Sequence, residues 1–375
     1  MSAPKDNPKI ERLLVVMPTW LGDCVMATPT LRALRGLYPE AQITALIRST
    51  VRAAIEHTPW IDRIVTVRPR RKGRIDARRS GVIPVARRLS KGRFDAAVIL
   101  PNSFRSALVV TMAGIHRRIG YERDGRGFML TDRLIPRKQA GEGYIPVPTR
   151  DYYLGIVRYL GSVEPDESMQ LFTTPAEDEA AASLLTDSGL DLSGDQRLLL
   201  INPGAAKTEK CWPAERFAQI ADRCAQKFNT IAAVTGTAKE SDTLSGVVRA
   251  AKTPVINLAE RGLTLALLKS IIKRSALLVT NDTGPRHLAA ALGTPVVTLF
   301  GPTGPEWTEI GFEHERQVVV RRPDGTRTAA DAERGLLSMD RMDIGPVFEA
   351  VSELLASSSN GAASTAPSEG VGLPT

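Results

Sequence analysis

The sequence predicts an α/β protein of two doubly wound domains. Three observations predict it. Short runs of continuous apolar character recur along the chain, as in strands buried on both faces of a parallel sheet. Segments with helical spacing alternate with them. The rhythm then restarts after an acidic, weakly patterned stretch, Val163–Asp191. With 375 residues there is room for two domains of ordinary size. The reading places a first domain at 1–165, a linker region at 166–195, a second domain at 196–355 and a tail at 356–375.

The first half opens with a strand, Arg12–Met17, and the turn Pro18-Thr19-Trp20-Leu21-Gly22-Asp23. Cys24–Leu37 carries Val25, Leu31, Leu34 and Leu37 at helical spacing. Strands follow at Ile43–Ile47, Ile64–Val67 and Phe94–Leu100, the last ending in Pro101-Asn102-Ser103-Phe104-Arg105. Arg117–Gly127 reads as a basic, turn-rich segment, and Tyr152–Leu160 as a helix stopped by Gly161. An alanine-rich helix is expected near Ala176–Leu185.

The second half repeats the plan. Leu198–Ile201 is a strand, with Asn202-Pro203-Gly204-Ala205-Ala206 after it and a polar loop at Lys207–Pro213. Glu215–Lys227 is an amphipathic helix, and Ile231–Val234 a strand leading to Thr235–Glu240. Val255–Leu258 is a short strand and Leu263–Ile272 a helix. The most informative stretch is Leu277–Thr303: strand, polar turn, short helix, strand, glycine turn. Its turn, Asn281-Asp282-Thr283-Gly284, falls at the carboxyl edge of a parallel sheet, where such sheets take ligands. Pro285 suits a first helical position. Free N–H groups at that helix start favour an anion, with Thr283, Gly284 and His287 facing it; an ordinary helix cap is the equal alternative. Phe348–Leu355 is a last short helix. Ala356–Thr375, rich in Ser, Ala, Gly and Pro, is expected to be disordered.

Composition narrows the class. Forty-three per cent of residues are hydrophobic and the net charge is +8, which favours anionic partners. Cys24, Cys211 and Cys224 are widely spaced, against a disulfide framework or a structural zinc site. The polar N-terminus has no signal-peptide core, and no apolar run approaches the roughly 18 residues of a membrane span. A cytoplasmic protein is expected, with peripheral membrane contact open. Arg68–Arg93 is one-sidedly basic, opposed only by Asp76 and free of aromatic residues until Phe94. A solvated face is the usual meaning of such a run. Aromatic stacking partners are missing from it, so a phosphate-rich or membrane-surface partner is favoured over nucleic acid.

The loops at the strand ends hold the candidate chemistry. The first half offers Asp23 and Asn102–Arg105; the second offers Gly204, Lys210, Glu240, Asp282–Gly284 and His287. A carboxylate on one wall facing a phosphate cradle on the other suggests group transfer from a nucleotide donor. The carboxylate would be the base, and a lysine with helix N–H groups would meet the leaving phosphate. No GxxxxGK[ST] is present and no GxGxxG follows a strand, against a P-loop ATPase or a dinucleotide oxidoreductase. No side-chain cluster has metal-ligand spacing. Each residue also has a plainer meaning: Asp23 as a helix cap, His287 as a hydrogen-bonded helix histidine, Lys210 as a surface lysine, Trp20, Trp212 and Trp307 as core or rim, Cys24 as an apolar filler.

Four ordered segments carry a family resemblance: LLVVMPTWLGDCVMATPTLRALRGLYP, LPNSFRSALVVTMAGIHRRIGY, NPGAAKTEKCWPAERFAQIAD and TNDTGPRHLAAALGTPVVTLFGPT. Between about Arg12 and Trp307 the chain resembles the lipopolysaccharide heptosyltransferases of glycosyltransferase family 9, nearest their second-heptose branch. The resemblance implies the GT-B fold, two Rossmann-like domains about a cleft. It implies inverting transfer of L-glycero-D-manno-heptose from ADP-heptose to inner-core lipopolysaccharide, without a metal or other cofactor. Asp23 would be the base and Lys210 would neutralise departing ADP. Thr283 and Gly284 would bind the phosphates, Asp282 the heptose and Glu240 the nucleoside side, with Gly204 and His287 shaping the pocket. Asn102, Ser103 and Arg105 would lie on the acceptor wall. Pro285-Arg286 departs from the apolar pair usual in the family. It leaves open another nucleotide-sugar donor for a cell-surface polysaccharide, with Arg286 gripping a phosphate or acidic sugar or else pointing to solvent. A nucleotide-sugar epimerase and a basic nucleic-acid module are the remaining alternatives.

Overall fold

The computed structural model describes residues 9–68, 81–138, 144–190, 192, 194–322 and 324–361. The first sheet comprises β1 (Arg12–Val16), β2 (Gln42–Arg48), β3 (Arg63–Val67), β4 (Ala96–Ile99), β5 (Arg117–Tyr121) and β6 (Asp132–Leu134), in spatial order β3-β2-β1-β4-β5-β6. The second comprises β7 (Arg197–Asn202), β8 (Thr230–Val234), β9 (Val255–Asn257), β10 (Leu277–Asn281), β11 (Val296–Phe300) and β12 (Glu315–Val319), in order β12-β11-β10-β7-β8-β9. All the ladders between these strands are parallel. Read from β9, the second sheet has the same order as the first. Each is therefore Rossmann-like, with the direction of winding reversing between β1 and β4 and between β7 and β10. Those two reversals open a crevice at the carboxyl ends of the central strands.

Parallel pairing requires crossovers, which helices supply. In the first domain these are α1 (Leu21–Met26), α2 (Thr28–Leu37), α3 (Val82–Ser90) and α4 (Phe104–Met112), followed by α5 (Thr149–Tyr159). α6 (Pro175–Asp187) occupies the junction, started by a reciprocal Thr174–Glu177 capping box. The second domain carries α7 (Ala214–Phe228), α8 (Ser241–Ala250), α9 (Leu265–Arg274), α10 (Gly284–Leu292), α11 (Ala329–Glu333) and α12 (Ile344–Gly361).

Three expectations are corrected. The single helix read over Cys24–Leu37 is two, broken at Ala27. Pro29 has no N–H for the Val25 carbonyl, and the Thr28 hydroxyl donates to it instead at 2.7 Å. The turn-rich segment from Arg117 begins with a strand, β5. Its arginines hide the pattern: Arg118 donates to the carbonyls of Met129, Ile115 and His116, Arg117 pairs with Asp132 at 3.3 Å, and Ile119 stays buried. The last helix reaches Gly361, so Ala356–Gly361 are helical rather than disordered. Val347, Val351, Leu354 and Leu355 bury one face of it in the second core. Of the basic run Arg68–Arg93, residues 69–80 lie outside the described residues, as do residues 362–375 of the tail.

The two domains meet tightly behind the crevice. A Cβ on Gly22 of α1 would come within 2.6 Å of the His287 ring, and one on Gly284 within 2.9 Å of Leu21. Met26, Ala290 and Ile310 form a small apolar cluster across the join. Arg150 of α5 donates to the Ile310 carbonyl at 2.7 Å, and Thr149 to that of Trp307 at 3.3 Å.

Candidate active site

The first wall grows from β1 and β4. Asp23 sits in the first turn of α1, one residue after Gly22. Its carboxylate has no hydrogen-bond partner among the described residues, and burial raises its pKa to about 6. Cys24 beside it is fully buried, its thiol against the Pro18 carbonyl at 3.2 Å, a packing role. After β4, the Ser103 hydroxyl caps α4 by accepting from the Ser106 N–H at 3.3 Å. Asn102 Oδ1 accepts from the Tyr152 hydroxyl at 3.1 Å and from Arg126 at 3.4 Å. Arg126 is fully buried. Its guanidinium also donates to the carbonyls of Pro101 and Tyr121 and to Ser106 Oγ. Burial lowers its pKa to about 10. Tyr121 stacks on Tyr152 with ring centroids 3.8 Å apart. Together these groups frame a cleft of about 1230 Å³, lined by Asp23, Asn102, Ser103, Arg105 and Tyr152, with Trp307 reaching in from the second domain.

The second wall grows from β7 and β10. Asn281 staples the loops there: its amide donates to the carbonyls of Pro203 (2.8 Å) and Gly204 (3.3 Å), and its oxygen accepts from the Trp212 N–H (3.2 Å). Lys210 Nζ lies 3.3 Å from Asp282 Oδ2. The Glu240 carboxylate accepts from the Thr237 N–H and hydroxyl, both at 2.7 Å. A Cβ on Gly204 would land on that carboxylate, so the glycine lets Glu240 approach the backbone in this position. Thr283 stands at the N-cap of α10 without capping it through its side chain. Its hydroxyl instead meets Asn202 Nδ2 at 3.2 Å and Thr280 Oγ1 at 3.1 Å. The first turn of α10 is thus left without a side-chain oxygen; Pro285 has no N–H and the Arg286 N–H donates to the Thr283 carbonyl at 3.2 Å, so the Gly284 N–H is the donor suited to an anion.

The pattern of the family described as Glycosyltransferase family 9 (heptosyltransferase) matches residues 82–333. The chain belongs to glycosyltransferase family 9. It is 29% identical over 320 residues to lipopolysaccharide heptosyltransferase 2 of Escherichia coli (strain K12), covering 82% of this chain and 87% of that protein. Among solved structures, a family 9 glycosyltransferase from Veillonella parvula superposes with a TM-score of 0.78 at 24% identity, over 92% of this chain and 97% of the other. The E. coli ADP-heptose lps heptosyltransferase II structure gives 0.76 at 24% identity, over 93% and 99%. The two Rossmann-like domains are those of the GT-B fold, and this family 9 member is a glycosyltransferase.

Within this family 9 chain the expected site residues fall into two groups. Asp23, Asn102, Ser103 and Arg105 line one cleft. Gly204, Lys210, Glu240, Asp282, Thr283, Gly284 and His287 gather beyond β7, β8 and β10 and do not line it; the α1–α10 contact joins the groups. His287 does not face an anion. It is 3% exposed, packed on Gly22, with Nδ1 lacking a partner among the described residues. Burial and the Arg286 charge hold its pKa well below the usual value, so it is neutral. Trp212 is core, and Trp20 and Trp307 are exposed.

Arg286 overturns both meanings offered for it. It neither reaches solvent nor offers a free charge to a ligand. It is fully buried, with Nε and Nη2 donating to Glu315 at 2.6 and 3.0 Å. This removes the feature that favoured an acidic-sugar donor. The sequence gives little warning of Glu315, 29 positions away on an edge strand, or of Arg126 and Tyr152 behind Asn102.

Proposed function

We propose that the chain transfers heptose from ADP-L-glycero-D-manno-heptose to the inner core of lipopolysaccharide, with inversion and without a metal. The reading is carried by the packing of α1 on α10, which brings a desolvated carboxylate, unpartnered among the described residues, into the same join as the start of that helix. An acceptor hydroxyl in the cleft attacks C1 of the heptose. Its proton passes to Asp23, the bond from C1 to the phosphate oxygen breaks, and the electron pair leaves with ADP. Lys210 and the Gly284 N–H at the start of α10 meet the added charge. Asp282 and Glu240 are assigned to the sugar and nucleoside ends of the donor, Thr283 and Gly284 to its phosphates, and Asn102, Ser103 and Arg105 to the acceptor.

The acceptor is assigned to a membrane surface. No helix among the described residues is long and apolar enough to cross a bilayer. Ile135, Ile145 and Trp307 line the cleft and are exposed, and Phe104 and Phe128, also exposed, lie with ring centroids 6.1 Å apart. Such a rim, on a chain of net charge +8, suits an amphipathic anionic acceptor. Pure protein with ADP-heptose and a heptose-deficient core should release ADP only when both are present. Absence of acceptor-dependent release would refute the assignment. Cosedimentation with anionic vesicles should weaken in a Phe104→Ser/Phe128→Ser variant; undiminished binding would detach the rim from the membrane.

A further inference from the structure

Arg286 and Glu315 form a buried ion pair that the proposed reaction does not use directly. Glu315 receives both donors of the Arg286 fork, and also accepts from Thr298 at 2.6 Å and Gln317 at 2.9 Å. These donors hold its carboxyl below the ordinary range despite its burial, so the pair is ionised. The remaining guanidinium nitrogen, Nη1, points the other way. It donates to the Thr308 carbonyl at 2.8 Å and hydroxyl at 3.0 Å, and stands 3.5 Å from Asp282 Oδ1. Thr308 Oγ1 itself reaches Asp282 Oδ1 at 3.4 Å. The Phe300 ring lies under the guanidinium at 4.9 Å and closes the remaining side.

The segment holding Thr308 is fixed from outside as well, through Thr149 to Trp307 and Arg150 to Ile310. Asp282 is therefore gripped at both oxygens: Lys210 on Oδ2, Arg286 and Thr308 on Oδ1. We propose that Arg286, held by Glu315, is a positioning residue that sets the orientation of Asp282 toward the donor sugar from an anchor at Thr308. The inference rests on the assignment of Asp282 to the donor.

A buried pair broken on one side is strongly destabilising, whereas removal of both charges is tolerated far better. The experiment uses that asymmetry. Arg286→Met should lower the melting temperature, and Arg286→Met/Glu315→Gln should recover most of it. Donor KM should stay raised about tenfold in the double variant, the scale of a lost hydrogen bond to a charged group, with a smaller change in kcat. Recovery of both melting temperature and donor KM would reduce Arg286 to a packing element and overturn the proposal. Thr308→Val, at a partly exposed position, is an independent arm. It should raise donor KM severalfold with melting unchanged, and wild-type kinetics there would overturn the anchor. Asp282→Asn separates the underlying assignment: unchanged donor KM in that variant would remove Asp282 from the donor site and the positioning role with it. A raised value there beside wild-type kinetics in the double variant would fault the positioning role alone.

Discussion

The crevice has two walls made by the same strand order, and they treat charge in opposite ways. On the first wall Asp23 is desolvated and unpartnered among the described residues, at the edge of a large cleft. On the second wall the acidic groups are partnered: Asp282 at both oxygens by Lys210, Arg286 and Thr308, Glu240 at Oε2 by Thr237, Glu315 by four side-chain donors. An unpaired buried carboxylate is energetically costly and chemically available. A partnered one is held in place and suited to orienting a ligand. The repeat of one fold thus yields a wall poised to react and a wall built to grip.

The largest test of this contrast is Asp23→Asn. Turnover should fall by roughly 10³-fold or more, the loss of a general base, with ADP affinity nearly unchanged. The fold should gain stability. A carboxyl whose folded pKa is about 6, against an ordinary 3.8, holds its proton more tightly when folded. Its ionisation therefore penalises the fold: nothing is lost below pH 3.8, stability falls between 3.8 and about 6, and the penalty is constant above. Asparagine removes roughly 2 kcal/mol of penalty at pH 7, discounted for partial solvent contact. Chemical denaturation of both proteins should show the gap at pH 7 and its closure near pH 4. In the wild type, kcat/KM should rise with pH on a limb near 6 that the variant lacks.

Lys210→Ala tests the gripping wall. It removes the charge assigned to the leaving diphosphate and one hold on Asp282. A loss of about 10²-fold in kcat is expected, with a raised donor KM. Loss in KM alone would make Lys210 a binding residue only.

Gly22→Ala tests the join. The added methyl would meet the His287 ring at 2.6 Å, and His287 is locked in the buried start of α10. The walls must part by a few tenths of an ångström. Activity should fall roughly tenfold with smaller loss of fold stability, because catalytic geometry is less tolerant than packing. A paired Gly22→Ala/His287→Ala variant should recover part of the activity; a wild-type rate in the single variant would mean that the join does not set the reacting distance.

Much of this fold was legible because its strands are buried on both faces. Val279, Ile201, Val15 and Val98 each sit in an unbroken apolar run, and the turns between them carry Gly, Pro, Asn and Asp. β5 was obscured because Arg117 and Arg118 fold their charges back onto main-chain carbonyls and Asp132, a compensation invisible to local pattern. The site was legible to the extent that its groups sit on strand-end loops. Asp23, Lys210 and Asp282 are such groups. The environment of each was not. Arg286 looked like a surface or ligand cation because its partner Glu315 arrives from an edge strand, and His287 looked like an anion-facing group because the domain packing that buries it is long-range. Local sequence names the chemical groups; charge state and direction come from what the tertiary fold places around them.

The smallest expected effects lie inside the first wall, between adjacent residues. Ser103 and Asn102 both line the cleft. The Ser103 hydroxyl is committed to the start of α4, accepting from the Ser106 N–H. Asn102 has its oxygen occupied by Tyr152 and Arg126, which leaves its amide hydrogens as the free face. Ser103→Ala should therefore cost about 1 kcal/mol of stability as a lost cap, with acceptor KM nearly unchanged. Asn102→Asp keeps the acceptor oxygen for Tyr152 and Arg126 but removes the amide donors. It should raise acceptor KM severalfold at little cost in stability, since a carboxylate beside buried Arg126 gains an ion pair. Thermal melts and acceptor titrations on the two variants separate the roles. A raised acceptor KM in Ser103→Ala with an unmoved Asn102→Asp would reverse the assignment, and place the acceptor contact on the helix start rather than on the loop that Arg126 holds.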